Sequence, residues 1–181
     1  MMISTSSEQE TYQVGFSLGQ LLSSPLTVVL SGDLGTGKTV FAKGALAGLG
    51  ISQRVRSPSF NLMHVYEGRL PVYHFDFYRL EAEEELLEIG FPEYLVEGIV
   101  FIEWGDKFPM LLPQERIEVS LEGAGGDKTI DLNQRKIHLI PFGKPGKLIM
   151  EKLYETIKFN DRGHIQNLDN TEKEEGGEKG G

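Results

Sequence analysis

The run Gly32-Asp33-Leu34-Gly35-Thr36-Gly37-Lys38-Thr39 constrains this chain more than any other. It has the form G-x-x-x-x-G-K-T. Before it stands the apolar, β-branched run Leu26-Thr27-Val28-Val29-Leu30-Ser31, which reads as a buried strand. After it Val40 to Leu49 reads as a helix closed by Gly50. A strand, a glycine-rich loop and a helix in that order are the context in which this pattern cradles phosphate. The glycines let the backbone curl with its N–H groups inward. Those donors and the positive end of the helix dipole then suit a di- or triphosphate. Asp33, Leu34, Gly35, Thr36, Gly37, Lys38, Thr39 and Val40 are the residues expected to wrap it. Lys38 would set a cation on the β- and γ-phosphates, and the Thr39 hydroxyl would ligate Mg²⁺. An incidental glycine-rich turn would not require both flanks.

A helix that follows a buried strand must pack back onto its sheet, so the motif also fixes the fold class. The expectation is an α/β P-loop nucleotidase-type three-layer sandwich. Its central sheet would be mixed and largely parallel, with additional antiparallel strands late in the chain. Ser7-Glu8-Gln9-Glu10 is a capping box, and Val14, Leu18, Leu21 and Leu22 follow on one helical face. A first helix is therefore expected from Ser7 to Leu22. Asn61 to Tyr66 and Leu70 to Phe77 flank Glu67-Gly68-Arg69 and read as a hairpin. Glu81 to Glu88 reads as a short exposed helix. Ile99 to Ile102 reads as a second buried strand ending at Glu103-Trp104. Arg116 to Glu122, Lys128 to Leu132 and Lys136 to Ile140 read as short β segments. A last helix is expected from Pro145 to about Phe159.

The expected organisation is one P-loop ATPase domain over residues 1–160, followed by an acidic, glycine-rich tail over 161–181. That tail has too few apolar residues to fold. There are no cysteines, which excludes disulfides, cysteine-ligated zinc and thiol nucleophiles. The first residues lack the basic and apolar stretches of a signal peptide, and no apolar run approaches membrane-spanning length. A cytoplasmic protein with no membrane partner is expected. The net charge of −9 disfavours direct grip on a nucleic-acid backbone. A local basic patch is still compatible with that charge, and Lys43, Arg54 and Arg56 could supply a small one.

A P-loop enzyme needs a second acidic residue at the end of a neighbouring buried strand to hold Mg²⁺ or its water shell. Glu103, after four apolar residues, is the candidate, and Asp106 is the reserve. In His74-Phe75-Asp76-Phe77-Tyr78-Arg79, a strand would put His74, Asp76 and Tyr78 on one face. A carboxylate two residues from a histidine can orient a water or a metal-bound water. The competing reading is a solvated face with an Asp76–Arg79 ion pair. Ser57-Pro58-Ser59-Phe60 lies where P-loop switch segments lie, so its hydroxyls are candidates for sensing a γ-phosphate. Trp104 is either core edge or a lining of the site or of a partner surface.

Together, Gly32–Thr39, Ser57–Phe60, His74–Arg79 and Ile102–Trp104 resemble the bacterial TsaE proteins in kind, order and spacing. These are the ATPases of tRNA threonylcarbamoyladenosine biosynthesis. The resemblance covers about residues 7 to 140. It implies an ATP- and Mg²⁺-dependent accessory that works with the threonylcarbamoyl transferase subunit and its inactive paralogue. The tRNA would be met only indirectly, through that complex, and hydrolysis would reset the transferase between turnovers. Carried over by position, Lys38 binds phosphate, Thr39 and Glu103 hold Mg²⁺, Asp76 belongs to the catalytic site and Trp104 lies beside it. Two departures stand out. Ser59 replaces the family's common threonine, and the chain beyond about Pro145 has no counterpart in the short family core.

Two other classes compete. A small-molecule kinase would need an arginine-rich lid, and the arginines here do not cluster in one. A nucleotide-gated binding module would use the loop as a switch without turnover. GTP is disfavoured because the chain has no N-K-x-D segment.

Overall fold

The computed structural model describes residues 1–123 and 134–160, the side chains of 158–160 excepted. The β segment expected at Lys128 to Leu132 and the tail expected at 161–181 lie outside the described residues.

The β elements are β1 (Met2–Thr5), β2 (Leu26–Ser31), β3 (Met63–Tyr66), β4 (Val72–Asp76), β5 (Ile99–Glu103), β6 (Arg116–Gly123) and β7 (Arg135–Phe142). They form one sheet in the order β1-β7-β6-β2-β5-β4-β3. Strands β6, β2, β5 and β4 run parallel, while β7, β1 and β3 pair antiparallel at the flanks. The mixed, largely parallel sheet is therefore as expected.

The pattern of each strand follows from what covers it. Ile99-Val100-Phe101-Ile102-Glu103 is buried throughout, because both faces of β5 are covered. Ile99 and Phe101 join one core with Val28 and Leu30, while Val100 and Ile102 join a second with Phe75, Phe77 and Phe91. Strand β6 instead alternates, with Ile117, Val119 and Leu121 buried and Arg116, Glu118 and Ser120 half-exposed. It is a strand covered on one face only.

Helices α1 (Glu8–Leu21), α2 (Lys38–Gly48) and α5 (Gly143–Asn160) supply the first layer. Ser7 caps α1 by accepting from the Glu10 amide at 3.1 Å, a contact worth about 1 kcal/mol. The reciprocal half of the expected capping box is displaced by one residue. Glu10 accepts from the amide and hydroxyl of Ser6, not from the Ser7 amide. Helices α1 and α2 approach closely through glycine. A Cβ on Gly15 would lie 2.2 Å from the Phe41 carbonyl oxygen, and one on Gly44 would lie 2.0 Å from that of Tyr12.

The second layer is made of α3 (Glu84–Glu88), α4 (Phe91–Glu97) and two 3-10 turns, Gly105–Lys107 and Pro109–Leu111. It corrects the reading of residues 81–88. The helix begins only at Glu84, and Leu86 is fully buried against the aromatic cluster. Glu81 and Ala82 precede it, their amides donating to the Glu85 carboxylate. Besides the two 3-10 turns, β1 and α4 had no sequence expectation. Strand β1 is four residues long and its partner lies in β7, more than a hundred residues away. Helix α4 did carry a start signal, since Pro92 sits in its first turn after Gly90.

Candidate functional site

Parallel pairing brings the ends of β2, β5 and β4 to one edge of the sheet. Leu30 pairs with Glu103, and Glu103 pairs with Asp76. The chain leaves β2 into the glycine loop, β5 into Trp104 and β4 into Phe77-Tyr78-Arg79. Three segments distant in sequence therefore meet in one cleft. It is lined by Lys38, Thr39, Ser57, Ser59, Asp76 and Glu103, among others.

The loop enters α2 through Gly37 at φ 105°, and no side chain caps the helix. That backbone conformation requires glycine, and a Cβ there would also meet Arg135 Nε at 3.0 Å. The first amides of an α-helix have no partner within it. Left uncapped by any side chain, those of α2 suit an anion. Lys38 Nζ donates to the carbonyls of Gly32 at 2.6 Å and Asp33 at 2.8 Å, and lies 3.8 Å from the centre of the Trp104 ring. Burial lowers the Lys38 pKa from its ordinary value. The charges of Glu103, Asp76, Asp106 and Asp33 oppose that shift. Trp104 adopts φ 61° and its amide donates to Leu30 O at 2.8 Å. Its indole also packs against Tyr78, with ring centres 5.1 Å apart. A left-handed tryptophan is strained backbone held by its surroundings.

Glu103 is buried, and its carboxylate accepts from Thr39 Oγ1 at 2.9–3.0 Å and faces His74 Nε2 at 3.0 Å. A carboxylate accepts hydrogen bonds, so the contact suits His74 with its hydrogen on Nε2. His74 Nδ1 is buried without a partner. An unprotonated Nδ1 leaves no buried donor unsatisfied there. Asp76 is equally buried and binds a different set. Its Oδ2 accepts from Ser57 Oγ at 2.7 Å and from Ser59 Oγ, while Oδ1 accepts from the Tyr78 amide at 3.0 Å.

The sequence-expected residues thus divide. Lys38, Thr39, Glu103, Asp76, Ser57, Ser59, Arg79 and Trp104 all line the cleft. His74 does not face it as a switch or partner surface, because its ring lies fully buried behind Glu103. The expected shared face of His74, Asp76 and Tyr78 ends at Asp76, since β4 stops there. The solvated face with an Asp76–Arg79 pair is also absent. The Arg79 guanidinium lies 4.3 Å over the Phe60 ring instead. The reserve candidate Asp106 sits in the following 3-10 turn and is exposed.

Arg135 had no sequence expectation. From β7 its Nε donates to Thr36 O at 3.0 Å, and a terminal nitrogen lies 3.8 Å from Glu8. It braces the loop from the side away from Glu103. Nothing local in the sequence signals this, since 99 residues separate the two positions.

The donor set fits a hard divalent cation. Thr39 and Glu103 present a hydroxyl and a carboxylate side by side. Among the described residues no cluster of three or more His, Cys, Asp or Glu gathers to hold a metal. A cation here would therefore rely on these two residues, water and phosphate oxygens. That is how Mg²⁺ is commonly held beside a nucleotide.

Fold and loop define the class, a P-loop α/β protein. Within it the chain belongs to the TsaE family. The family model described as "Threonylcarbamoyl adenosine biosynthesis protein TsaE" matches residues 5–136. The chain is 39% identical over 128 residues to the tRNA threonylcarbamoyladenosine biosynthesis protein TsaE of Bacillus subtilis, spanning 70% of this chain and 76% of that one. It is 36% identical over 157 residues to the protein so named from Rickettsia felis, spanning 84% and 92%. The crystal structure of Bacillus subtilis YdiB superposes with a TM-score of 0.69 at 30% identity, covering 87% of this chain and 95% of that one. Among the described residues no helix is long and apolar enough to cross a membrane.

Proposed function

We propose that this chain is a Mg²⁺-dependent ATPase serving tRNA threonylcarbamoyladenosine biosynthesis as an accessory to the transferase. The named role of the family supports the pathway. The observation that carries the chemistry is the pairing of Thr39, at the start of α2, with the buried Glu103 carboxylate, in one cleft with Lys38. In this reading the loop amides and Lys38 hold the phosphates of ATP. Thr39 and Glu103 hold Mg²⁺, with His74 fixing the Glu103 carboxylate from behind. A cation held by Thr39 and Glu103 would supply positive charge beside the phosphates. In the same reading Asp76, which lines the cleft, orients the attacking water or the water shell of the cation.

The acidic chain is not built to grip tRNA by itself. The partners proposed are the threonylcarbamoyl transferase subunit and its inactive paralogue, with tRNA reached through them. A soluble, cytoplasmic setting accords with that role. Steady-state phosphate release tests the reading, with Mg²⁺ or with chelator, and with or without the purified transferase pair. The expected outcome is slow, chelator-sensitive hydrolysis that the pair accelerates. Brisk hydrolysis unaltered by the pair would count against the accessory role.

A further inference from the structure

Arg79 belongs to the cleft yet takes no part in its hydrogen-bond network. It lines the site together with Lys38, Thr39, Asp76 and Glu103. Among the described residues it forms no ion pair, and its one close partner is the Phe60 ring, 4.3 Å below the guanidinium. Phe60 is 83% exposed, so the contact is a cation–π pair at the surface. Such a pair shifts an equilibrium only about two- to fivefold. A cation in a phosphate cleft, held so weakly and by a ring alone, is stored and not structurally committed.

The segments that bring the two together meet at Asp76, while Lys107 Nζ separately donates to the Tyr78 carbonyl. Asp76 Oδ2 accepts from Ser57 and Ser59, next to Phe60. Asp76 Oδ1 accepts from the Tyr78 amide, next to Arg79. One buried carboxylate therefore bonds the neighbours of both the ring and the guanidinium. Displacement of the Ser57–Phe60 segment takes the ring from under Arg79.

We propose that Arg79 is a catalytic residue that stabilises the transferring phosphoryl group in cis, and that Phe60 is its resting place. This rests on the ATPase reading above. In the step, a water oxygen bonds to the γ-phosphorus while the bond from that phosphorus to the β,γ-bridging oxygen breaks. The electron pair leaves with ADP, and the water's proton passes to phosphate or solvent. Arg79 stays protonated throughout and meets charge that builds on the phosphoryl oxygens, as arginines do in P-loop enzymes.

The test uses the full chain with Mg²⁺ and combines calorimetric binding with single-turnover hydrolysis. Binding is measured for ADP alone and for ADP with aluminium fluoride, a mimic of the phosphoryl group in flight. Wild type should bind the aluminium fluoride complex more tightly than ADP. Arg79→Ala should keep the ADP affinity within about twofold, lose that preference, and hydrolyse ATP at least a hundredfold more slowly. Millimolar guanidinium should restore part of its rate, which a merely structural loss would not allow. Phe60→Ala should hydrolyse about two- to fivefold faster than wild type, because the resting place is gone. An Arg79→Ala variant that matches wild type in rate and preference overturns the catalytic assignment while leaving the ATPase reading intact. A Phe60→Ala variant as slow as Arg79→Ala overturns the resting place. Wild type that binds no ATP overturns the ATPase reading, and this inference with it.

Discussion

The two walls of the cleft are built to different rules. One wall is the glycine loop, Lys38, Thr39 and Glu103. It stands on β2 and β5, whose residues are buried almost throughout, and its carboxylate is locked between Thr39 and the fully buried His74. The other wall is Ser57–Phe60 with Asp76–Arg79. Its carboxylate also ends a buried strand, but the groups it holds are two serine hydroxyls and one amide on connecting segments. Phe60, Tyr78 and Arg79 stand exposed beyond it. The first wall stands on a core, whereas the second buries only Pro58, Asp76 and Phe77. It is otherwise held by hydrogen bonds, three of them to Asp76 and one from Lys107 to the Tyr78 carbonyl. Local opening is cheapest where few apolar contacts hold the backbone. The second wall, with Phe60, Tyr78 and Arg79 exposed, is therefore expected to open more easily than the first.

The largest effect should come from the fixed wall. Lys38→Ala removes a cation from the middle of the loop and should weaken ATP binding about ten- to hundredfold, the usual worth of a charged hydrogen bond. Lys38 bonds only loop carbonyls and packs on one ring, so the melting temperature should change little. Unchanged affinity in titration calorimetry would remove Lys38 from the phosphate site.

Glu103→Gln comes next. It keeps the shape and the Thr39 contact but removes the charge. ATP affinity should stay within a few-fold while hydrolysis falls about a hundredfold, reflecting lost stabilisation of the Mg²⁺-bound transition state. Because the wall is set by the core, hydrogen exchange in residues 57–62 should not change. If exchange there rises as well, the walls are coupled and the contrast between them fails.

Asp76→Asn should divide the same observables the other way. An amide holds two hydroxyls less firmly than a carboxylate does. Exchange across residues 57–62 should rise, and hydrolysis should fall about tenfold with affinity nearly unchanged. If only the rate falls and exchange stays as in wild type, Asp76 acts on water alone and does not tether the segment.

The same contrast explains how much of the fold and the site was legible in the amino-acid sequence. The fixed wall was nearly complete there, because a buried strand ending in a carboxylate and a glycine loop between strand and helix are local patterns. Even Glu103 could be reached from four apolar residues before it. What stayed hidden depends on long-range pairing. The place of His74 behind Glu103 follows from the register of β4 against β5, and no spacing rule reports that. The brace from Arg135 depends on β7 lying two strands from β2. Strand β1 is too short to show a period and exists because β7 offers it an edge. For the second wall the residues were identified but not their partners. Alternation predicted a shared face for Tyr78, whereas the strand ends two residues earlier. Charge suggested an Asp76–Arg79 pair, but the Asp76 carboxylate had already taken two serines and an amide. The cation went to the ring instead.

The smallest effect, and the finest probe of the second wall, is Ser59→Thr. The hydroxyl that reaches Asp76 is kept and a methyl is added. A β-branched side chain has fewer χ1 states to lose, so the segment should be held more firmly in its bonded geometry. Ser59 is half-buried, and the gain should be a few tenths of a kcal/mol, within the usual range for a surface change. Exchange in residues 57–62 should slow slightly, and ATP affinity should not move. Hydrolysis should change by less than about twofold, downward if release of the segment frees Arg79 from Phe60. A Ser59→Thr variant with unchanged exchange but a much altered rate would mean that the hydroxyl's partner is the nucleotide and not Asp76. The second wall would then be no tethered switch but part of the phosphate site itself.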